Sequence, residues 1–366
     1  NLLSLATELI VYVLENLDLN SLVACQRVCS DLKKIIDESV TLQYRIELAV
    51  AGMENGPPSS IDVAERLRRL QNYTKAWREM TFSPLEKEIE LSGHLWELYG
   101  GVLVTSVGDT TLVFNKLPGH ARGIRSQEWK IENVGFPIRD FKMDLSQYLL
   151  AMLDFPQHGG GFCTIHLRTL STNEPHPLAS YALIIVPLQT SYSTGYSFDV
   201  LICDDKVGVK FNRQLAHGPY DDVNIFHIRG RRKPIDTFTF LSDHHILLGI
   251  SDERGPRLEV YDLPREARSD PEWNGQDYLC AFLYEDHGPY FVSHNILIQS
   301  NPAPSWTPLN DTEVPFFAAP GSRVLCLSYE MVSVGARDAN EFPAHFIPLQ
   351  VLLAFIPESP NEVGMA

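Results

Sequence analysis

Six cysteines, 12 histidines and 46 carboxylates give this chain ample material for chemistry, so spacing must decide which of them could act together. Cys25 and Cys29 stand four apart on a predicted helix, a separation that aims two thiolates at one metal ion. A closed zinc site needs a second pair of ligands, and none accompanies them. His244 and His245 adjoin a predicted hairpin turn. Successive strand residues point to opposite faces, so an exposed turn is expected there rather than joint ligation. Gly159, Gly160 and Gly161 lack the lysine and the following helix that a phosphate-cradling loop requires, which leaves a flexible loop. No Gly-x-Ser-x-Gly or His-Glu-x-x-His occurs, and the carboxylates are too numerous for spacing to isolate an acid/base pair. The densest charge is Arg229, Arg231, Arg232 and Lys233, four cations in five residues of an acidic region. Guanidinium forks suit phosphate and carboxylate, so these four are candidates for gripping a phosphorylated or acidic target peptide; the competing reading is a solvated loop. Tyr192, Tyr196, Tyr220, Trp273, Tyr290 and Trp306 fall near predicted loops, where aromatics either build recognition surfaces or close sheet cores. Neither a metal nor a cofactor is expected.

The bulk composition narrows the function classes. With 366 residues and 44% apolar content the chain has material for a large core, which excludes wholesale disorder. A net charge of -16 disfavours phosphate backbones and anionic lipid, so neither nucleic acid nor a membrane surface is an expected partner. The cysteines are sparse and unpatterned, as in a reduced compartment, and the expected location is the cytoplasm, the nucleus or both. Glu8 and Glu15 interrupt the apolar opening, which is therefore not read as a signal peptide. The longest apolar run, Phe346 to Pro357, falls short of the roughly 20 residues a membrane helix needs.

Positioning elements change character along the chain. Up to Met80 the apolar residues recur at helical spacing; beyond Gly93 they come in short β-branched and aromatic runs divided by Gly, Pro, Asn and Asp. The first helix is predicted from Thr7, as cap, to Leu17, with Leu9, Ile10, Val13, Leu14 and Leu17 on a side that must be buried. A second is predicted from a cap at Asn20, setting Leu22, Cys25, Val28, Cys29 and Leu32 in one stripe, and a third spans Thr41 to Ala51. Ser59 and Asp62 resemble a capping box for a helix continuing to Met80. In the second region, Val102–Thr105 turns at Gly108-Asp109 into Leu112–Phe114, and Val200–Cys203 turns at Asp204-Asp205 into Val207–Val209. Pro137-Ile138-x-x-Phe141-x-Met143 and Pro234-Ile235-x-x-Phe238-x-Phe240 repeat at an offset of 97, with the following strands in step. Two units of about 48 residues fit propeller blades, and the remaining length would supply about six. The expected fold is thus α + β and multidomain: a helical domain at 1–50, a helical bridge at 51–92, and an all-β domain at 93–366, a β-propeller or, alternatively, a sandwich.

The combination of Leu5-Ala6-Thr7-Glu8-Leu9-Ile10, Val13-Leu14, Leu17 and Leu22-Val23-Ala24-Cys25-Gln26-Arg27-Val28-Cys29-Ser30-Asp31-Leu32, then Ile35-Ile36, resembles the F-box, a family of helical adaptor-docking modules. Ala6 stands where that family usually has Pro, and Leu32 where it often has Trp; neither removes the apolar side. A bridge containing Glu47-Leu48-Ala49-x-Ala51-Gly52-Met53 ahead of a propeller-like region is similar to F-box chains of fungal type. The resemblance implies docking to the Skp-type adaptor of a cullin-RING ubiquitin ligase, with an unknown target protein held by the β-domain and no bond chemistry in the chain itself. Leu5, Leu9, Ile10, Val13, Leu14, Leu22, Cys25, Val28 and Leu32 are the candidates, some as adaptor contacts and some as core. Two other readings remain: a propeller hydrolase or lyase with a structural helical cap, and an F-box scaffold outside the ligase.

Overall fold

A computed structural model describes residues 2–81, 91, 93–119, 122–155, 161–187, 195–214, 221–225, 235–252, 255–263, 278–284, 291–301, 303–308, 314–333 and 340–357. The chain divides into two compact units, one of Asn1–Leu91, Asn115–Glu128 and Pro308–Ala319, the other of Ser92–Phe114, Trp129–Thr307 and Pro320–Ala366. Two later segments, 115–128 and 308–319, therefore belong with the helices.

The helical unit contains α1 (Thr7–Glu15), α2 (Leu19–Cys25), α3 (Ser30–Glu38), α4 (Val40–Val50) and α5 (Val63–Glu79). Two caps differ from expectation. Thr7 is already helical and Ala6 is the N-cap of α1, without a side-chain bond; Asp18, not Asn20, caps α2 by accepting from the Ser21 N–H at 3.0 Å. The single stripe from Leu22 to Leu32 is also corrected, because the helix ends at Cys25 and Cys29 is extended at φ -161. Arg27 and Val28 donate back only three residues, to Ala24 and Cys25, which tightens and closes the turn. Leu22, Leu32 and Ile36 are buried all the same, with Ile10, Leu14 and Leu42, since the break lets α3 turn its own apolar side into the same core. Asp62 caps α5 through the Glu65 N–H at 2.8 Å, and Met80 ends it in the left-handed region at φ 50. A two-stranded sheet of β1 (Met53–Asn55) and β18 (Phe316–Ala318) completes this unit, and Phe316 joins Tyr44, Leu48 and Leu70 in a second core.

Among the described residues, five sheets follow one another in the β region. They are β2 (Trp96–Tyr99), β3 (Val102–Val107), β4 (Thr111–Lys116) and β5 (Gln127–Ile131); β6 (Asp140–Asp144), β7 (Leu149–Asp154), β8 (Phe162–Thr169) and β9 (Leu183–Pro187); β10 (Gly195–Cys203), β11 (Lys206–Gln214) and β12 (Asp221–Ile225); β13 (Thr237–Phe240), β14 (His245–Asp252), β15 (Gly255–Asp262) and β16 (Cys280–Leu283); and β17 (Phe291–Gln299), β19 (Val324–Ser333), β20 (Asn340–Glu341) and β21 (Ala344–Pro348). The first, second and fourth run in chain order as antiparallel meanders of four; in the last, β20 and β21 both pair with β19. Both predicted hairpins form, turning through Gly108 at φ +62 and Asp204 at φ 52. A short helix, α6 (Leu349–Leu353), packs Leu349 and Leu352 into the last core.

Each sheet shares a core with the next. Phe114 and Ile131 pack with Phe141 and Met152, Ile165 and Val186 with Val209 and Phe211, Cys203 with Phe238 and Phe240, and Val260 with Ile298 and Leu327. Sheets stacked in sequence face to face, all but the last a simple meander, are the arrangement of a propeller. The 97-residue repeat is structural: both copies form the first two strands of a four-stranded sheet, β6–β7 and β13–β14. Among the described residues the count is not the expected six. The described residues hold four four-stranded sheets and one of three strands, because 115–128 and 308–319 go to the helical unit and the last sheet is spread from Phe291 to Pro348.

Candidate functional site

Two features of the described structure offer chemistry to another molecule: an apolar face on the helical unit and a cavity in the β unit.

In α1 the positions Ile10 and Leu14 face inward and are 2% exposed, while Leu9 and Val13, each one residue earlier, are 54% and 43% exposed. Residues four apart share a helix face, so Leu9 and Val13 form an outward pair, with Tyr12 beside it at 66%; Leu5, before the extended Ala6 cap, is exposed ahead of the helix. Val23 and Val28 are also exposed, Val28 because it sits in the turn between α2 and α3. Arg45 of α4 secures this helix. Its guanidinium donates to the carbonyls of Leu14, Glu15 and Leu17 at 3.3, 2.5 and 2.7 Å, satisfying acceptors that the end of α1 leaves open.

The candidate residues therefore separate. Leu5, Leu9, Val13 and Val28 are exposed; Ile10, Leu14, Leu22 and Leu32 are core; Cys25 is half-buried against that core. Leu3, Tyr12 and Val23 are exposed apolar positions that the sequence reading passed over, although Tyr12 stands three after Leu9 and one before Val13, where helical spacing could have found it.

In the β unit the first strand of every sheet, β2, β6, β10, β13 and β17, contributes to the wall of one cavity of about 400 Å³. Successive first strands pack on one another, and the chain after β17 returns to β2: the Asn301 amide donates to Leu98 O at 3.3 Å and the Ala303 N–H to the Tyr99 hydroxyl at 3.0 Å. Convergence of innermost strands on a common space is the centre of a propeller. The lining includes Trp96, Leu98, Ile202, Phe240, Ile298 and the charged Glu97, Lys142 and Arg323. Lys142 pairs with Glu97 and lies 5.9 Å from the centre of the Tyr99 ring.

The other sequence candidates fare differently. Arg229, Arg231, Arg232 and Lys233 lie outside the described residues, as do Gly159, Gly160, Tyr192, Tyr220, Trp273 and Tyr290. Cys25 and Cys29 are free thiols, and the helix break removes the geometry that would have aimed both at one ion. His244 contacts Asp243 at 2.5 Å and His245 contacts Ser242 at 3.1 Å, each held in the turn by its own neighbour. Among the described residues no group of three or more His, Cys, Asp or Glu side chains is placed to hold a metal, and no helix is long and apolar enough to cross a membrane.

Residues 2–43 match the F-box domain. No curated protein matches the chain. Among solved structures the chain is similar to Hsv2 of Kluyveromyces lactis with a complete loop 6CD, at 12% identity over 71% of this chain and 74% of that one, with a TM-score of 0.31. It is also similar to oligopeptidase B of Leishmania major, at 10% identity over 64% and 32% of the two chains and a TM-score of 0.26. A third is cobalt-substituted ACO of Synechocystis, at 11% over 68% and 58% and a TM-score of 0.27. The propeller arrangement stands on the sheet order and shared cores above, to which these likenesses add nothing.

Proposed function

We propose that this F-box chain with a propeller-like β region is a non-catalytic substrate receptor of an SCF-type ubiquitin ligase, acting in the cytoplasm, the nucleus or both. The F-box domain implies docking to a Skp-type adaptor, and a propeller suits the capture of a target protein. The observation that supports the reading most is the exposed apolar face of Leu9, Val13 and Tyr12 on α1, flanked by Leu5 and Val28, left in water by a helical unit whose own core is already filled. Burying each such side chain is worth about 1.5–3 kcal/mol, so a groove on another protein gains far more from this face than solvent does. Ubiquitin transfer would follow from proximity: tethering the target beside a charged enzyme raises its effective concentration without any group of this chain touching the reacting atoms.

Affinity capture of the full chain and of a Leu9→Asp, Val13→Asp double variant tests this. Both positions are exposed, so the variant keeps its helical circular dichroism and melting temperature while adaptor and cullin disappear from the captured material. Undiminished adaptor in the double variant would overturn the docking assignment. Adaptor without cullin in the wild-type material would instead identify a scaffold outside the ligase.

A further inference from the structure

The cavity at the centre of the β unit holds a charge that its walls do not balance. Arg323, just before β19, is 7% exposed and lines the cavity. Its Nη1 donates to Phe240 O at 2.6 Å and its Nη2 to Thr239 Oγ1 at 3.2 Å, both neutral acceptors on β13, and its Nε has no hydrogen-bond partner. No carboxylate among the described residues forms an ion pair with it. The titratable groups that act on it are Cys203 and Tyr99, and burial pushes both above their ordinary values, so both are neutral near pH 7. Burial lowers Arg323 itself only to about 10, which leaves it cationic.

A guanidinium out of water and without a counter-ion is strongly disfavoured, and the space beside it is within the size range of small-ligand pockets. The second cation of the lining, Lys142, is already paired with Glu97, so one positive charge remains to be matched. One charge suits a carboxylate better than a dianionic phosphate. The rest of the wall, with Trp96, Leu98, Phe240 and Ile298, favours an apolar body behind that carboxylate. We infer that the central cavity binds a carboxylate carried on an apolar body, with Arg323 as its counter-ion. Such a group is offered both by small organic acids and by the end of a peptide chain with an apolar last residue. Adaptor docking plays no part in this inference, which holds or fails without it.

Isothermal titration of the full chain decides it with two probe pairs: 4-phenylbutyrate against its amide, and N-acetyl-Ala-Ala-Phe with a free against an amidated C-terminus. At least one acid is expected to bind, with its amide weaker by about tenfold or more. The same loss is expected in Arg323→Gln and in Ser300→Trp, which adds bulk to the lining while leaving the guanidinium in place. The acid that binds identifies the source, small molecule or peptide end. Should Arg323→Gln not fold, the acid and amide comparison and Ser300→Trp carry the test alone. Equal binding of acid and amide, unchanged binding in both variants, or no binding of either acid at millimolar concentration would overturn the inference.

Discussion

Removing the Arg66 side chain would take a donor from six acceptors at once, and Ile61 O, Gly56 O and Pro57 O would lose the side-chain bond that covers them. Its guanidinium, on a residue only 5% exposed, donates to Ile61 O, Asn55 Oδ1, Gly56 O, Pro57 O, Ser59 Oγ and Pro315 O. Each buried acceptor left open costs about 1–3 kcal/mol where water cannot replace the donor, so Arg66→Ala should lower the stability of the helical unit by at least about 3 kcal/mol in urea unfolding. Arg66→Lys should recover little, since an ammonium has three donors on one point and cannot span these positions. Asp140 makes a second prediction at this scale. Burial lifts its carboxyl to about 7; the Phe141 N–H bond works against the rise, while the carboxylates of Glu97 and Asp199 add to it. The folded state thus holds the proton more tightly than the unfolded chain, where an Asp titrates near ~3.9. Its contribution is complete below about pH 4 and is lost as pH climbs through 7. Asp140→Asn should match the wild type in stability near pH 4 and exceed it at pH 8, by on the order of 4 kcal/mol, in unfolding curves at the two pH values. Neither residue was legible in the sequence. Arg66 sits in an ordinary amphipathic helix, and its acceptors come from a loop and from a segment some 250 positions away; Asp140 is one acid among 46 until the strand that buries it is known.

Elements were legible where periodicity alone fixes them. Phe141 and Met143, like Phe238 and Phe240, alternate at i and i+2 and are all buried, so one face of each strand could be read, and with it the repeat. The break between α2 and α3 escaped because apolar spacing continues across it: Leu22 and Leu32 are buried on both sides of a turn that no Gly or Pro announces. The outward face of α1 was half legible. Helical spacing places Leu9 with Val13 and Ile10 with Leu14, but only the packing of α3 and α4 decides which pair is covered. Arg45 is the residue through which α4 sets the end of α1, so Arg45→Ala should destabilise the helical unit by about 1–2 kcal/mol in thermal unfolding. If α1 is the docking helix, the same change weakens adaptor capture more than it lowers helix content, and Arg45→Lys restores part of the capture by reaching one of the three carbonyls.

For the molecule as a whole, the chain path decides how the two proposed roles can be separated. The helical unit is assembled from three stretches of sequence, and its second core joins Tyr44 and Leu48 of α4 to Leu70 of α5 and Phe316 of β18. A cut after residue 50, where the F-box resemblance ends, removes Tyr44 and Leu48 from that core. Leu70 and Phe316, both 0% exposed, would then face solvent, and the bonds that the Tyr44 hydroxyl makes at 3.0 Å to Asn55 and 2.9 Å to Pro315 would be lost. Uncovering two large apolar side chains costs about 3–6 kcal/mol, which is a large part of the stability of any domain this size. The truncated chain should accordingly bind a hydrophobic dye such as ANS and lose solubility on warming, while the Leu9→Asp, Val13→Asp full-length variant binds no more dye than the wild type. A truncation that remained soluble, dye-negative and unchanged in melting would show that residues 51 onward hold their fold without α4, contrary to the packing of Phe316. Point changes on the outer face of α1 are therefore the sound way to test the proposed adaptor docking apart from the proposed binding in the propeller, because they alter one surface and leave every core closed.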